Sequence, residues 1–204
     1  MNPERSPVPD FFYPELSLSS LPLLLLFALL TAAVAHDVRA RRIPNAIVFP
    51  GALAALALHA LLPAGQGLFG VPMGGLGILS SLGGLALGLA ILMPMYALRL
   101  MGAGDVKLLA MVGAFVGAGQ ILAVAVATLL AGGVLALAWA VWQRSLRQLL
   151  GNALQMVLHS GLSGLAGGVA APAAASGRLP YAVAIAGASI GCVVWLRTFG
   201  ELPL

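Results

Sequence analysis

Apolar residues in this chain run in long blocks instead of alternating or recurring as stripes. The blocks are Leu16 to Ala35, Ala46 to Leu62, Met73 to Leu98, Leu108 to Val141 and Pro180 to Leu196. A helix rises ~1.5 Å per residue and a bilayer hydrocarbon core is about 30 Å thick, so blocks of this length predict membrane-spanning helices. The fourth block, uncharged from Leu108 to Val141, would be roughly 51 Å long as one helix, far beyond that thickness. It is expected to fold as two helices that reverse at Gly117-Ala118-Gly119, where glycine permits a tight turn. The pattern therefore predicts an all-α integral membrane protein with about six transmembrane helices.

Only one stretch has the periodicity of a surface helix. Leu146, Leu149, Leu150, Ala153, Leu154, Val157 and Leu158 recur at helical spacing, with Arg147, Gln148, Asn152, Gln155 and His159 off the stripe. This predicts an amphipathic helix lying on the cytoplasmic membrane face, serving as a connector or as a substrate gate. The Gly, Ala and Ser-rich residues 161–177 predict a flexible or re-entrant linker. The chain then divides into an N-terminal tail (1–15), the first five spans (16–145), the amphipathic helix and linker (146–179), and the sixth span with a short tail (180–204).

Composition agrees with this class. Of 204 residues, 61% are hydrophobic and 8% charged, against about 25% charged in soluble domains. The single cysteine, Cys192, excludes a disulfide framework and a CxxC zinc cluster; no cofactor or metal motif is present, and no dense basic face points to nucleic acid. Basic residues set the orientation. With the Asp37 to Asn45 loop on the cytoplasmic side, six spans place Arg39, Arg41, Arg42, Arg99, Lys107, Arg144, Arg147 and Arg178 there and leave Arg5 and Arg197 outside. That asymmetry is the positive-inside signal. Ala33-Val34-Ala35 is similar to a signal-peptide cleavage site, but the preceding stretch has no net basic region and arginines follow directly.

Against this background two residues stand out. Between Leu16 and Gly200 the only acids are Asp37 and Asp105, and carboxylates within a membrane protein are functional candidates by default. From Asp105 to Val116 a helix covers roughly 18 Å, so Asp105 is expected to sit below the cytoplasmic surface with Asp37 as its acidic partner. Gly102 and Gly104 are expected to give that approach conformational freedom and room. A competing reading is that Asp105 only caps its helix and that Asp37 pairs with Arg39, Arg41 or Arg42. Lys107 is expected either to support an ionised pair or to snorkel toward phosphates. Pro44 and Asn45 are expected to start the second span, Asn45 as a cap. His36, His59 and His159 form no ligand pattern. Gly84 with Gly88 and Gly113 with Gly117 have a spacing for close helix packing, within one subunit or between two, and Pro94 is placed to kink the third span.

The segments Asp37-Val-Arg-Ala-Arg-Arg-Ile43-Pro44-Asn45 and Gly102-Ala-Gly104-Asp105-Val-Lys107-Leu108 resemble the paired aspartate motifs of the prepilin leader peptidases, GxGD-type intramembrane aspartyl proteases. Arg178-Leu179-Pro180-Tyr181-Ala182, followed by Ala184 to Gly187, is similar to that family's pattern at the last helix, with Val183 where a second proline is common. The chain lacks the paired-CxxC cytoplasmic insertion of members that also N-methylate their substrate, so it resembles the short, peptidase-only kind serving Flp or Tad-type pili. The resemblance implies a protease of the bacterial inner membrane that removes the basic leader from prepilins or pseudopilins at the cytoplasmic face, without a cofactor. Its catalytic residues would be Asp37 and Asp105: two close carboxylates share a proton, so one can activate water while the other serves as acid. Two other classes remain open: a transporter using the two carboxylates as ion sites, and an assembly subunit that binds prepilin without cutting it.

Overall fold

In a computed structural model of the chain, the described residues are 20–65, 67–68, 74–98, 101–142, 151 and 181–199. They form six helices: α1 (Leu21–Ala40), α2 (Asn45–Leu61), α3 (Ile78–Ala97), α4 (Ala103–Val116), α5 (Ile121–Trp142) and α6 (Tyr181–Phe199). Four of these, α1, α3, α5 and α6, are long and apolar enough to cross a membrane. The other two are shorter, with 17 residues in α2 and 14 in α4, so against the expected six or so spans there are four long apolar helices and two short ones among the described residues. Large apolar side chains such as Leu53, Leu79, Leu130 and Val134 are exposed on the bundle's flank, as a lipid-facing surface requires. This is a membrane protein. The amphipathic helix and linker expected over 146–179 lie outside the described residues, apart from Gly151, which is helical.

Several helices begin or end away from the apolar blocks. α1 continues through His36, Asp37 and Arg39 to Ala40, so Asp37 belongs to the last turn of a helix and not to the following loop. The helix stops at Arg41, a non-glycine residue in the left-handed region (φ 52°), whose N–H donates to the Asp37 carbonyl at 2.8 Å. This is an αL C-cap. The expected break in the fourth apolar block occurs where glycine allows it: α4 ends at Val116, Gly117 takes φ 82°, and α5 begins at Ile121. Pro94 lies in the last turn of α3, where its missing N–H removes one helical hydrogen bond.

α4 is the axis of the bundle. It packs against α1, α2, α3, α5 and α6, and every residue from Leu108 to Val116 is buried. A helix that is apolar all round has no solvent or lipid face to offer and belongs inside. α2 runs parallel to it, since Asn45 meets Lys107 at one end and His59 meets Phe115 at the other. α3 runs antiparallel and lies very close. Gly84 abuts Gly113 backbone to backbone, and Gly88 faces Leu109 and Ala110. The small residues flagged by spacing thus serve contacts within one chain. Ser81 Oγ donates to the Ala114 carbonyl at 2.6 Å across the same seam.

Two buried hydroxyls are satisfied within their own helices. Thr128 and Ser189 return their hydroxyls to the carbonyl one turn back, which removes an otherwise costly donor from an apolar surrounding. His59, buried at the end of α2, has a structural task. The Leu76 N–H donates to its Nδ1 at 3.2 Å, so Nε2 carries the proton and donates to the Phe115 carbonyl at 2.8 Å. One ring thereby joins α2, the end of α4 and the loop entering α3. His59→Leu strands both backbone groups and is expected to cost roughly 2 kcal/mol of stability, read as an earlier midpoint in denaturant unfolding of the detergent-solubilised protein.

Candidate active site

The end of the bundle opposite His59 gathers the last turn of α1 and the first turns of α2, α4 and α6. Asp37 reaches it along a continuous buried stripe on α1, formed by Leu26, Leu30, Ala33 and Asp37. Steps of four, three and four residues keep these positions on one helix face. The carboxylate is accordingly buried, with 7% of the residue exposed. Its Oδ2 accepts the Ala182 N–H at 3.2 Å. Ala182 is the second residue of α6, where main-chain N–H groups have no intrahelical acceptor and carry the positive end of the helix dipole. Asp37, unfavourably placed at the C-terminal end of α1, is therefore offset by the N-terminal end of α6. Among the described residues Asp37 forms no ion pair with Arg39, Arg41 or Arg42, which are exposed around the same end.

Asp105 stands in the first turn of α4. Its own N–H donates to the Gly102 carbonyl at 3.2 Å, and the Gly102 N–H donates back to Oδ2 at 3.3 Å. The capping role expected of an acid at this position is real, but it coexists with a second relation. The charge of Asp37 acts repulsively on Asp105, so the two carboxylates lie within electrostatic reach of each other. The Asp105 charge also reaches the Tyr181 hydroxyl at the start of α6. α1, α4 and α6 thus converge their polar groups on one place.

The two glycines of the Gly102-Ala103-Gly104-Asp105 motif act through space and not through unusual dihedrals. Gly102 has φ −76° and ψ 150°, open to any residue, and neither glycine has a positive φ. At Gly104 a Cβ would stand 3.2 Å from the Cβ of Ile43, tighter than ordinary contact. The bare backbone there lets the loop after α1 lie directly on the start of α4. Ile43 was not singled out by its sequence.

Lys107 is turned toward α2. Its Nζ donates to Asn45 Oδ1 at 3.2 Å and stands 5.3 Å from the centroid of the Phe49 ring, within cation–π range. The expected N-cap role of Asn45 is corrected by this bond. Pro44 occupies the cap position in extended conformation (φ −66°, ψ 135°) with no side-chain cap bond, and Asn45 is the first helical residue. An amide at that position has a better use as an acceptor for a cation than for an amide of its own turn, and it ties α2 to α4 beside Asp105. His36 is exposed on α1, and among the described residues no group of three His, Cys, Asp or Glu is arranged to hold a metal ion.

Comparison with known proteins bears on this end of the molecule. A family model described as the type IV leader peptidase family matches residues 24–137, a stretch that runs from α1 into α5 and includes both aspartates. No curated protein and no solved structure matches the chain detectably. The family match extends over more than half of the 204 residues and contains the helices that carry Asp37, Asp105 and the loop between α1 and α2. By that match, this chain is a peptidase belonging to the type IV leader peptidase family.

Proposed function

We propose that this peptidase is of the aspartic type, that Asp37 and Asp105 are its catalytic pair, and that it removes the short basic leader of Flp-like prepilins or pseudopilins at the cytoplasmic face of the bacterial inner membrane. The observation that carries the reading is the convergence of the two acids. They come from different helices, they are the only acids between Leu16 and Gly200, and the Asp37 charge reaches Asp105 at one end of the bundle. α2 and α4 complete a six-helix membrane arrangement in this reading, their short length being tolerated because protein surrounds α4. The arginines and Lys107 at the aspartate end support a cytoplasmic orientation.

The chemistry follows from the pair. Repulsion between neighbouring carboxylates disfavours double ionisation, so the pair holds one proton. The ionised member takes a proton from water while the water oxygen bonds to the scissile carbonyl carbon. The protonated member hydrogen-bonds the developing oxyanion. Transfer of a proton to the amide nitrogen then breaks the C–N bond, leaving a carboxyl terminus on the leader and an amine on the mature pilin. No covalent enzyme intermediate forms. A precursor whose leader ends in glycine before an apolar helix fits a site at the membrane surface, because glycine offers unencumbered backbone.

The test is cleavage of a purified Flp-type prepilin by the purified protein in detergent, followed by mass spectrometry. The expected product has lost the leader after its terminal glycine, and replacing that glycine by valine is expected to slow cleavage at least tenfold. An intact precursor under conditions where it binds would make the protein an assembly subunit. Substrate-independent cation flux in proteoliposomes would favour a transporter.

A further inference from the structure

The first turn of α6 bonds to Asp37 and lies within reach of the Asp105 charge. Ala182 presents its N–H to Asp37, and Tyr181, one residue earlier, lies within reach of the Asp105 charge. The position of this turn relative to α1 decides whether the Ala182 N–H meets the carboxylate. What holds it is on α5. At the buried Gly132 an added Cβ would collide with the Tyr181 hydroxyl and with ring carbons Cζ and Cε2, the latter at 2.7 Å. The absent side chain of Gly132 is a notch filled by the hydroxyl end of the Tyr181 ring. At Gly133, the next residue, a Cβ would have no neighbour within 4 Å, so it provides no such seat.

We infer that Tyr181 is a positioning residue for the proposed catalytic pair: seated in the Gly132 notch, its ring sets the start of α6 so that the Ala182 N–H holds the Asp37 carboxylate in place. This rests on Asp37 and Asp105 being the catalytic pair. The role belongs to the aromatic ring and its fit, not to a proton carried by the hydroxyl. A carboxylate shifted by about 1 Å loses on the order of a hundredfold in rate, while substrate affinity, set elsewhere along the leader, changes little.

The experiment is steady-state cleavage of a Flp-type prepilin, with kcat and KM determined separately on folded protein quantified by gel filtration. Gly132→Ala and Tyr181→Leu are each expected to lower kcat ten- to a hundredfold with KM within threefold. Tyr181→Phe, which keeps the ring, is expected to retain kcat within twofold. In the double variant Gly132→Ala with Tyr181→Leu, the loss is expected to be smaller than the product of the two single losses, since both act on one contact. If Gly132→Ala does not accumulate as folded protein, the contrast between Tyr181→Phe and Tyr181→Leu carries the same test. A tenfold loss in Tyr181→Phe would make the hydroxyl itself a reacting group and overturn the inference, as would a rise in KM with unchanged kcat. Wild-type kcat in both Gly132→Ala and Tyr181→Leu, alongside loss of cleavage in Asp37→Asn, would overturn the positioning role alone. Cleavage that persists in Asp37→Asn would overturn the pair itself.

Discussion

Asp37→Asn and Asp105→Asn, made separately, are each expected to slow prepilin cleavage by about 10³-fold or more while leaving the protein folded. General acid–base groups contribute on the order of 10²–10⁴ each, and in a pair that shares one proton the loss of either carboxylate removes both the base and its partner acid. Asparagine matches aspartate in shape, and its side-chain oxygen can still accept the Ala182 N–H at position 37 or the Gly102 N–H at position 105. The hydrogen bonds that organise α6 and the start of α4 are therefore preserved, and the effect isolates proton transfer from structure. Single-turnover cleavage with an unchanged thermal unfolding midpoint is the informative measurement. A variant that keeps cleavage within tenfold of wild type would show that its carboxylate is dispensable and that the peptidase uses other groups.

The second large effect concerns the seam between α3 and α4. Valine at Gly84 or at Gly113 is expected to destabilise the protein by about 3 kcal/mol or more, at or beyond the upper range for overpacked cores. The reason is the identity of the obstructing atoms. A Cβ at Gly84 meets the Gly113 carbonyl oxygen, and a Cβ at Gly113 meets the Gly84 carbonyl oxygen. Backbone cannot rotate away as a flexible side chain can, so the helices must separate, and α4 takes Asp105 with it. Gly133 and Gly187 provide the contrast, because a Cβ there meets nothing within 4 Å. Alanine at either is expected to be neutral or mildly stabilising, by up to ~1 kcal/mol from helix propensity. Denaturant unfolding in mixed micelles measures all four. Equal destabilisation at Gly84 and Gly133 would refute the packing argument.

These contacts show where local sequence carries information and where it does not. The break at Gly117 was legible because a single helix from Leu108 to Val141 would overshoot the bilayer. Close packing at Gly84 and Gly88 was legible as a spacing, although which helix it met, in one chain or two, was not. The all-helical class followed from the lengths of the apolar blocks, with composition in agreement. Asp37, by contrast, was assigned to the loop because the apolar block ends at Ala35; the buried stripe through Leu26, Leu30 and Ala33 to Asp37 is present in the sequence, but it emerges only when position along the helix face is weighed above hydropathy. The Ile43 contact on Gly104 and the Tyr181 seat on Gly132 had no local signature. Both depend on which helices become neighbours: Gly104 and Tyr181 stand in recognisable motifs, but nothing in the sequence names Ile43 or Gly132 as the partner. The Arg178 to Ala182 segment stood out as a pattern, while its working atom, a main-chain N–H, has no side-chain identity to be recognised by.

The enclosure of α4 has a consequence for how the enzyme meets different membranes. Lipid thickness presses on helices that touch lipid, and these respond by tilting or by deforming the bilayer around them. The outer helices absorb that mismatch, whereas α4 is screened by five neighbours and inherits its depth from protein contacts such as the His59 and Ser81 bonds to its final carbonyls. Asp105 is in effect mounted on an internal post. Its distance from the membrane surface is a property of the fold, so, with Asp105 in the proposed catalytic pair, bilayers of different thickness are expected to present substrate to it at nearly the same level.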